Sequence, residues 1–511
     1  MTELRHGTWW DQVARLPLQQ AMEGRFTRLF PDLPGAAFDQ ADLEKLAEAM
    51  SAPAEDTPTA ETEVDPEENP GIEAVYTYLG QFVDHDLTFD PTSSLREFLT
   101  PAQLKDLVNF RTPRFDLDNL YGAGPNEQPY MYESDGVHML LGEAMSGNPI
   151  DKNAVQLPRG PNGRALIGDP RNDENRIVAQ LHCAFLRFHN QVADAMKGKS
   201  PTFQDVRQQV RWHYQWVLVN DFLPTIIAAD IVRSVFPDPH SPELTIHKLK
   251  QGLELMPVEF SVAAYRFGHS MIRPEYRLNT TIERRPIFSG DDDDAADLGG
   301  FRPIPVDWAI DWQFFIDLEH GAVPATGDPL FDPITRRPQK AYKIDTSLVS
   351  PLHDLPARVA ANPSILALRN LERGATFELP SGQTVAEALG IAPIPDEELV
   401  IGKATETDPK VPITNIAQGF AGNAPLWTYI LSEAQVSSWK NADPALKKDD
   451  IPTRLGPVGG RLIAEVFAAL LLGDKTSYLN AGTRFTPDPA FTNNGNFGLT
   501  ELINVALGRQ P

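Results

Sequence analysis

The amino-acid sequence predicts a mainly α-helical protein in which one large core occupies most of the chain. Three observations favour this fold class. Of the 511 residues, 41% are apolar, which is enough for a sizeable core in a chain of this length. Several long segments repeat their apolar residues with the helical period, whereas strand-like alternation is short and scattered. The 45 prolines indicate long irregular connections between the helices.

Four segments carry the helical pattern, taken here in chain order. IEAVYTYL lies just before GQFVDHDLTFD, so we expect residues 81–86 to end or interrupt a helix bound for the core. ENRIVAQLHCAFLRFHNQVADAM predicts a long helix, and VRQQVRWHYQWVLVNDFLPTIIAADIV predicts helices broken near Pro224. GPVGGRLIAEVFAALLLGD predicts a helix opened by glycines. The second segment places on one face Ile177, Leu181, Ala184, Phe185, Phe188 and Val192.

We predict an N-terminal extension over residues 1–70 and a single domain over residues 71–511. Residues 51–69 are acidic, rich in proline and nearly free of large apolar side chains, which is typical of a solvated linker or a surface segment. The remaining sequence shows no internal repeat and no boundary that separates its motifs.

The net charge of −25 excludes some classes of partner. An acidic chain repels phosphate backbones and anionic lipid, so nucleic acid and membrane surfaces are poor candidates. No apolar run approaches the roughly 18 residues of a membrane span, and the N-terminus does not resemble a signal peptide. We therefore expect a soluble, cytoplasmic protein. The single cysteine, Cys183, excludes an internal disulfide and is expected to be a buried, inert thiol.

The segment GQFVDHD brings Asp84, His85 and Asp86 together in apolar surroundings. A buried carboxylate costs several kcal/mol unless it is paired, hydrogen-bonded or bound to metal. A neutral histidine is the commonest proton shuttle near pH 7, so His85 is a candidate general base. The alternative is a surface turn that caps a helix.

The segment RTPRFDLDNLYGAGP, residues 111–125, is a candidate calcium loop. Thr112, Asp116 and Asp118 alternate with backbone carbonyls, which suits a cation that prefers oxygen ligands. An EF-hand is excluded, because its third acidic position is Leu120. The alternative is a turn rich in aspartate.

Two further segments carry candidate site residues. In GDPRNDENR, Arg171 and Glu174 stand at the entry of the long helix, where Asp173 and Glu174 could also serve only to cap it. A permanently charged arginine beside a core helix favours an anion or a developing negative charge. In YRFGHS, His269 follows Gly268, which lets a flat ligand approach the backbone. The alternative is a core histidine bonded to a carbonyl.

Together these motifs resemble the animal-type haem peroxidases of the peroxidase–cyclooxygenase superfamily, from about Gly71 to the C-terminus. The resemblance implies a helical domain with haem b buried in its core. His85 is similar to the family's distal histidine, and Gln81 to the glutamine that holds distal water or halide. Arg171 is similar to the distal arginine.

The resemblance also implies how the haem is held. His269 in RFGH matches the proximal iron ligand. Arg266, in the same motif, is expected to bind the haem as well. Asn370 in RNLERG matches the asparagine that accepts the proximal imidazole N–H. Asp84 and Glu174 match the two acids that form esters with the haem.

A calcium ion is the second cofactor that the resemblance implies. Its ligands would be Asp86, Thr112, Arg114 through its backbone oxygen, Asp116 and Asp118. Because Asp86 directly follows the distal histidine, the cation would also hold that histidine in place.

The activity implied is reduction of hydrogen peroxide with oxidation of a small donor, either a halide, a pseudohalide or a phenol. His85 would move the peroxide proton, and Arg171 would stabilise the developing charge. The alternative is a fatty-acid dioxygenase or cyclooxygenase-like enzyme. Those enzymes place a radical tyrosine three residues before the proximal histidine, where this chain has Arg266; Tyr265 lies four residues before it.

Overall fold

The computed structural model describes residues 26–53, 65–89, 109–147, 150–246, 255–289, 296–319, 338–360 and 362–511. Over these ranges the chain is mainly helical with little strand, which confirms the predicted fold class. The α-helices described are α1 (Gln40–Ala49), α2 (Val75–Leu87), α3 (Asp118–Tyr121), α4 (Arg176–Met196), α5 (Phe203–Val217), α6 (Leu223–Ile226), α7 (Ala229–Val235), α8 (Leu366–Thr376), α9 (Gly382–Ala388), α10 (Ile413–Ile416), α11 (Leu426–Asn441), α12 (Pro457–Gly473) and α13 (Leu499–Ala506).

The described strands form only two-stranded pairs. They are β1 (Phe26–Thr27), β2 (Glu68–Glu73), β3 (Met256–Pro257), β4 (Glu275–Tyr276), β5 (Arg285–Pro286), β6 (Lys340–Tyr342), β7 (Val400–Ile401) and β8 (Val411–Pro412). The pair β1–β3 is parallel, whereas β2–β6, β4–β5 and β7–β8 are antiparallel. The core is therefore made by helices, and the strands tie loops to it.

Helix α4 lies at the centre of this core. The Asn175 side chain caps it by accepting from the N–H groups of Ile177 and Val178. All six residues of the predicted apolar face are buried, as the period of the pattern requires. Helices α2, α5 and α13 pack against α4. The long helix that the sequence predicts is thus present as α4.

The break predicted at Pro224 is displaced by three residues. Helix α5 continues through a π-helical turn (Leu218–Phe222) into α6, and Pro224 occupies the first turn of α6. The chain leaves the helical conformation only at Ile227. Pro224 therefore lies inside the helical stretch and does not end it.

Helix α12 corresponds to GPVGGRLIAEVFAALLLGD, in which a helix was expected to begin at the glycines. Gly456 precedes it, Pro457 is its first residue, and most of its side chains are buried. The carboxylate of Glu433 on α11 accepts from the N–H groups of Val458 and Gly459. A buried acid therefore satisfies the positive end of this helix.

The N-terminal part is tied to the rest of the chain in several places, among them the pair β1–β3. Helix α1 packs against α8, and β2 pairs with β6. Residue 70, the predicted boundary between extension and domain, lies within β2, and the division at that residue stays a prediction.

None of the helices in the described ranges is long and apolar enough to cross a membrane. Cys183 is buried within α4, and burial raises the pKa of its thiol to about 12. The expectation of a buried thiol is confirmed.

Candidate active site and cation site

The acid–histidine–acid cluster forms the last turn of α2, which ends at Leu87. His85 is 4% exposed, Asp86 is fully buried, and Asp84 is partly exposed. The Thr88 hydroxyl donates to the Asp84 carboxylate at 2.9 Å. The cluster is therefore the buried end of a core helix, and the alternative of a surface turn is excluded.

Both ring nitrogens of His85 face oxygen atoms of the segment that precedes α4. Its Nδ1 lies 2.7 Å from Oδ1 of Asn172, and its Nε2 lies 3.3 Å from Oε1 of Glu174. The Gln81 amide, one turn earlier on α2, donates to the same Glu174 oxygen at 2.7 Å. The structure thus brings three predicted site residues into one cluster.

Glu174 does not cap α4, since Asn175 does so. Burial alone would raise the pKa of the Glu174 carboxyl, but its hydrogen bond to His85 and the charges of His85 and Arg171 hold that pKa below its ordinary value. The side chain is 36% exposed. Glu174 is therefore an ionised, accessible carboxylate beside the candidate base.

Two residues of this cluster were not predicted from the sequence. Asn172, fully buried, contacts His85 with its oxygen and donates with its Nδ2 toward Nδ1 of His182 at 3.0 Å. His182 lies on α4 and is also fully buried. The signal that could have revealed them was a pair of polar residues, one within RNDE and one among the apolar residues of LHCAFL.

Arg171 is held by a carboxylate that sequence reasoning also missed. Its Nη2 donates to Asp169 Oδ2 at 2.8 Å and to the backbone oxygens of His85 and Thr88 at 3.2 and 2.7 Å. Its guanidinium lies over the Phe89 ring, 4.6 Å from the centroid. Its Nη1 makes no hydrogen bond with the described part of the chain. Arg171 therefore fixes the end of α2 and keeps one nitrogen available.

Asp169 in turn joins Arg171 to Arg111. Arg111 donates to Asp169 and also to Asp118 at 3.0 Å. Burial would raise the pKa of Asp169, but the charges of Arg171 and Arg111 hold it well below its ordinary value. An ionised network thus links the candidate active site to the predicted calcium loop.

Asp86, Asp116 and Asp118 form the candidate cation site. One carboxylate oxygen from each lies within 4.8 Å of the others. Asp86 Oδ1 is buried and has no hydrogen-bond partner among the described residues, and the Tyr214 hydroxyl lies near this carboxylate without hydrogen-bond geometry. Such a buried oxygen in a cluster of acids fits a hard divalent cation.

The electrostatics of this cluster point the same way. Burial, and then the charges of Asp116 and Asp118, raise the pKa of Asp86 well above its ordinary value. Burial and Asp118 raise the pKa of Asp116 to about 6. A bound cation would compensate these carboxylates. Leu117, between the two loop aspartates, has φ of 59°, a left-handed conformation that is uncommon for leucine.

Thr112 and Arg114 lie in the same loop. The Arg114 N–H donates to the Thr112 oxygen at 2.8 Å, which makes a tight turn. Both residues are partly buried. Their predicted part as backbone ligands stays a prediction.

His269 ends a 3₁₀ helix (Ala264–His269) that follows a π-helical turn (Glu259–Ala263). Its Nδ1 lies 2.8 Å from the amide nitrogen of Asn370 on α8. Burial, and then the charge of Arg266, lower the pKa of His269 to about 3. His269 is thus a neutral imidazole, which is the form that binds metals.

Asn370 is in contact with His269 as predicted, but the atom that faces the ring is its donor. The amide must turn by about 180° before its oxygen can accept an N–H from Nδ1. The structure therefore confirms the contact, while the direction of the hydrogen bond stays a prediction.

Arg266 and His269 share a face, because residues three apart eclipse one another on a 3₁₀ helix. Burial lowers the pKa of Arg266, and the negative charge of Asp84 acts on it in the opposite direction. The Tyr265 ring stacks on Phe260, with ring centroids 4.8 Å apart. A Cβ added at Gly268 would meet no atom within 4 Å, so the chain beside His269 leaves room for a flat ligand.

These residues fit a haem. His269 supplies a neutral nitrogen, Arg266 a cation, and Glu174 and Asp84 partly exposed carboxylates, while His85 presents Nε2 beside Gln81. The candidate roles follow from the chemistry of this donor set.

The chain is similar in sequence to known proteins. Residues 97–291 match the family described as animal haem peroxidase. Peroxidasin from Drosophila melanogaster is 24% identical over 433 residues, which cover 81% of this chain and 25% of peroxidasin. Thyroid peroxidase from Sus scrofa is 25% identical over 322 residues, which cover 58% of this chain and 32% of that enzyme. The chain thus spans about a quarter to a third of these curated relatives.

Two solved structures share the fold. Peroxidase A from Dictyostelium discoideum superposes with a TM-score of 0.54 at 16% identity, over 91% of this chain and 92% of that chain. A fatty acid alpha-dioxygenase from Arabidopsis thaliana superposes with a TM-score of 0.51 at 14% identity, over 93% of this chain and 75% of that chain.

Proposed function

Because the chain belongs to the peroxidase–cyclooxygenase superfamily, we propose that it is a haem peroxidase that reduces hydrogen peroxide and oxidises a small donor. The donor would be a halide, a pseudohalide or a phenol. One observation carries the proposal. Two histidines, each with Nδ1 in contact with an asparagine, lie in the last turns of the neighbouring elements α2 and Ala264–His269.

The cofactor would be haem b, held by His269 through Nε2, with Arg266 near it. When bound, haem supplies the electron-transfer chemistry that removes two oxidising equivalents from peroxide. Asp84 and Glu174 are the carboxylates we propose for ester attachment. Each is partly exposed, and each lies beside one of the two histidine-bearing segments.

His85 is the proposed general base and acid. Its Nε2 would take a proton from hydrogen peroxide and return it to the departing oxygen. Gln81 and Glu174 flank this nitrogen and would orient the peroxide or a water molecule beside it. His85 is almost wholly buried, which excludes bulk water from the proton transfer.

Arg171 would stabilise negative charge on the departing oxygen. Its Nη2 and Nε are held by Asp169 and by the end of α2, so its charge is fixed in position before reaction. A fixed charge of this kind costs no reorganisation when the oxyanion develops.

Calcium is proposed as a structural ion at the cluster of Asp86, Asp116 and Asp118. Thr112 and Arg114 would add oxygens, so that the site approaches the six to eight ligands that Ca²⁺ takes. Since Asp86 is adjacent to His85, the ion would hold the end of α2 in place.

Steady-state turnover of hydrogen peroxide with bromide, iodide, thiocyanate and a phenol tests the proposal on haem-loaded protein. His85→Leu should keep the haem spectrum and lose turnover by about 10²–10⁴-fold, the usual contribution of a general base or acid. Oxygen uptake with a long-chain fatty acid tests the competing dioxygenase activity. That activity without any peroxide turnover would overturn the proposal; the presence of Arg266 three residues before His269 favours the peroxidase.

A further inference from the structure

Asn172 joins the candidate base to a second buried histidine. Its Oδ1 lies 2.7 Å from Nδ1 of His85, and its Nδ2 lies 3.0 Å from Nδ1 of His182. All three side chains are buried, with His85 the most exposed at 4%. The three residues come from α2, from the 3₁₀ turn Pro170–Asp173 and from α4.

The two ends of the Asn172 amide determine the direction of the two hydrogen bonds. An amide oxygen can only accept, so the His85 Nδ1 that faces it must carry a proton. An amide nitrogen can only donate, so the His182 Nδ1 that faces it must be bare. Nδ1 of His85 therefore keeps its proton, and only Nε2, which lies 3.3 Å from the Glu174 carboxylate, is left to lose or gain one.

His182 is suited to hold the amide in this orientation. Burial lowers the pKa of His182 to about 3, so the ring is neutral and can accept. Its ring meets the edge of Phe82 on α2, with centroids 6.0 Å apart, and packing therefore limits its rotation. If His182 could not accept, Asn172 could turn over and present its NH₂ group to His85.

We propose that Asn172, oriented by His182, is a positioning residue that sets the tautomer of His85. Nδ1 of His85 carries the proton, and Nε2 is kept for proton transfer. The inference rests on the proposed function for its catalytic meaning, and on the orientation of the Asn172 amide for the direction of the two hydrogen bonds. A tautomer fixed in advance matters because a base presented through the wrong nitrogen cannot take the proton.

The direct test is nitrogen NMR of the full-length chain labelled with [¹⁵N]histidine, recorded in the solid state without haem. The His85 and His182 signals are assigned by their loss in His85→Gln and His182→Gln. We expect a protonated Nδ1 on His85 and a bare Nδ1 on His182. A bare Nδ1 on His85 in the wild-type chain would overturn the proposal, whatever the enzymatic activity.

Substitutions then test the consequence. Asn172→Leu keeps the branched shape of the side chain, with a larger volume, and removes both hydrogen bonds. It should abolish the single His85 tautomer and lower the rate of reaction with peroxide by roughly 10²-fold, at the low end of a general base's contribution, with the haem spectrum kept. Asn504→Leu is the matched control, because Asn504 is a buried amide on α13 that donates to Leu318 away from this cluster.

The partner histidine offers a rescue. His182→Gln retains an oxygen that can accept from Asn172, whereas His182→Phe does not. We expect near-normal peroxide kinetics in the first variant and a loss similar to that of Asn172→Leu in the second. Equal kinetics in both His182 variants would contradict the part given to His182. A wild-type protein that binds haem but lacks peroxide turnover would instead contradict the proposed function, and the NMR result would still decide the tautomer.

Discussion

The molecule contains two histidine–asparagine couples that look alike in distance and differ in direction. His85 meets Asn172 at 2.7 Å, and His269 meets Asn370 at 2.8 Å, each through Nδ1. At His85 the amide oxygen faces the ring, whereas at His269 the amide nitrogen does. The first couple therefore requires a proton on Nδ1, and the second, as oriented, requires a bare Nδ1.

The surroundings explain the difference. Asn172 has a second partner, His182, which occupies its NH₂ group and leaves only its oxygen for His85. Among the described residues, the side-chain amide of Asn370 makes one hydrogen-bond contact, to Nδ1 of His269. A metal bound to Nε2 of His269 would place the proton on Nδ1. We therefore expect Asn370 to reverse its amide when haem binds, while Asn172 stays as it is.

The largest expected effect concerns the couple of His269 and Asn370, the proximal couple. His269→Ala should abolish haem retention, because it removes the proposed iron ligand. The Soret band of the purified protein measures this directly. His213→Gln is a suitable control, because His213 is another buried histidine and its Nδ1 bonds to the Gln209 backbone oxygen. A normal Soret band in His269→Ala would show that the iron ligand is another residue.

Removal of calcium should disturb the distal couple, His85 and Asn172, more than the proximal couple. Chelation leaves Asp86, Asp116 and Asp118 clustered without compensation, so the end of α2 should loosen and His85 should shift. Peroxide turnover and thermal stability should fall together, with less loss of bound haem. Ca²⁺ should restore both, and Mg²⁺ should do so poorly, because it prefers a smaller octahedral shell. Metal analysis that finds no calcium in active protein would contradict this prediction.

The two asparagines can be separated by the same substitution. Asn370→Leu should weaken haem binding by about 10–100-fold, the usual cost of losing a residue that orients a metal ligand. Asn172→Leu should leave haem affinity almost unchanged. Asn370→Asp offers an acceptor in either orientation and should bind haem well. Soret titration of the haem-free protein measures all three, and an unchanged affinity in Asn370→Leu would remove the expected difference between the couples.

The smallest expected effect concerns the ester links. Glu174 contacts the distal couple, whereas the charge of Asp84 acts on Arg266 beside the proximal one. Glu174→Gln and Asp84→Asn should each reduce the haem that resists acid-acetone extraction after peroxide treatment, and the double variant should release all of it. Complete extraction from the treated wild-type protein would show that no ester forms.

Contacts between residues close in sequence could be predicted from the sequence. Gln81 and His85 are four residues apart and share one face of α2, and Arg266 and His269 share one face of a 3₁₀ helix. The apolar period of α4 likewise predicts which of its residues are buried. Helical geometry is regular, so spacing alone determines these neighbours.

The break near Pro224 shows where local patterns stop being sufficient. The proline lies in the first turn of α6, and the chain turns only at Ile227. A pattern of apolar residues does not reveal a π-helical turn, because such a turn depends on how the neighbouring helices pack.

The sequence by itself determined the helical fold class, the long core helix and the residue types at both histidines. Only the tertiary structure decided that Asn172, 87 positions after His85, holds its ring, and that Asp169 holds Arg171. It also decided the direction of each asparagine amide. Such contacts join segments that are distant in sequence, and the direction of a hydrogen bond depends on what the other end of the amide meets, which no local pattern records.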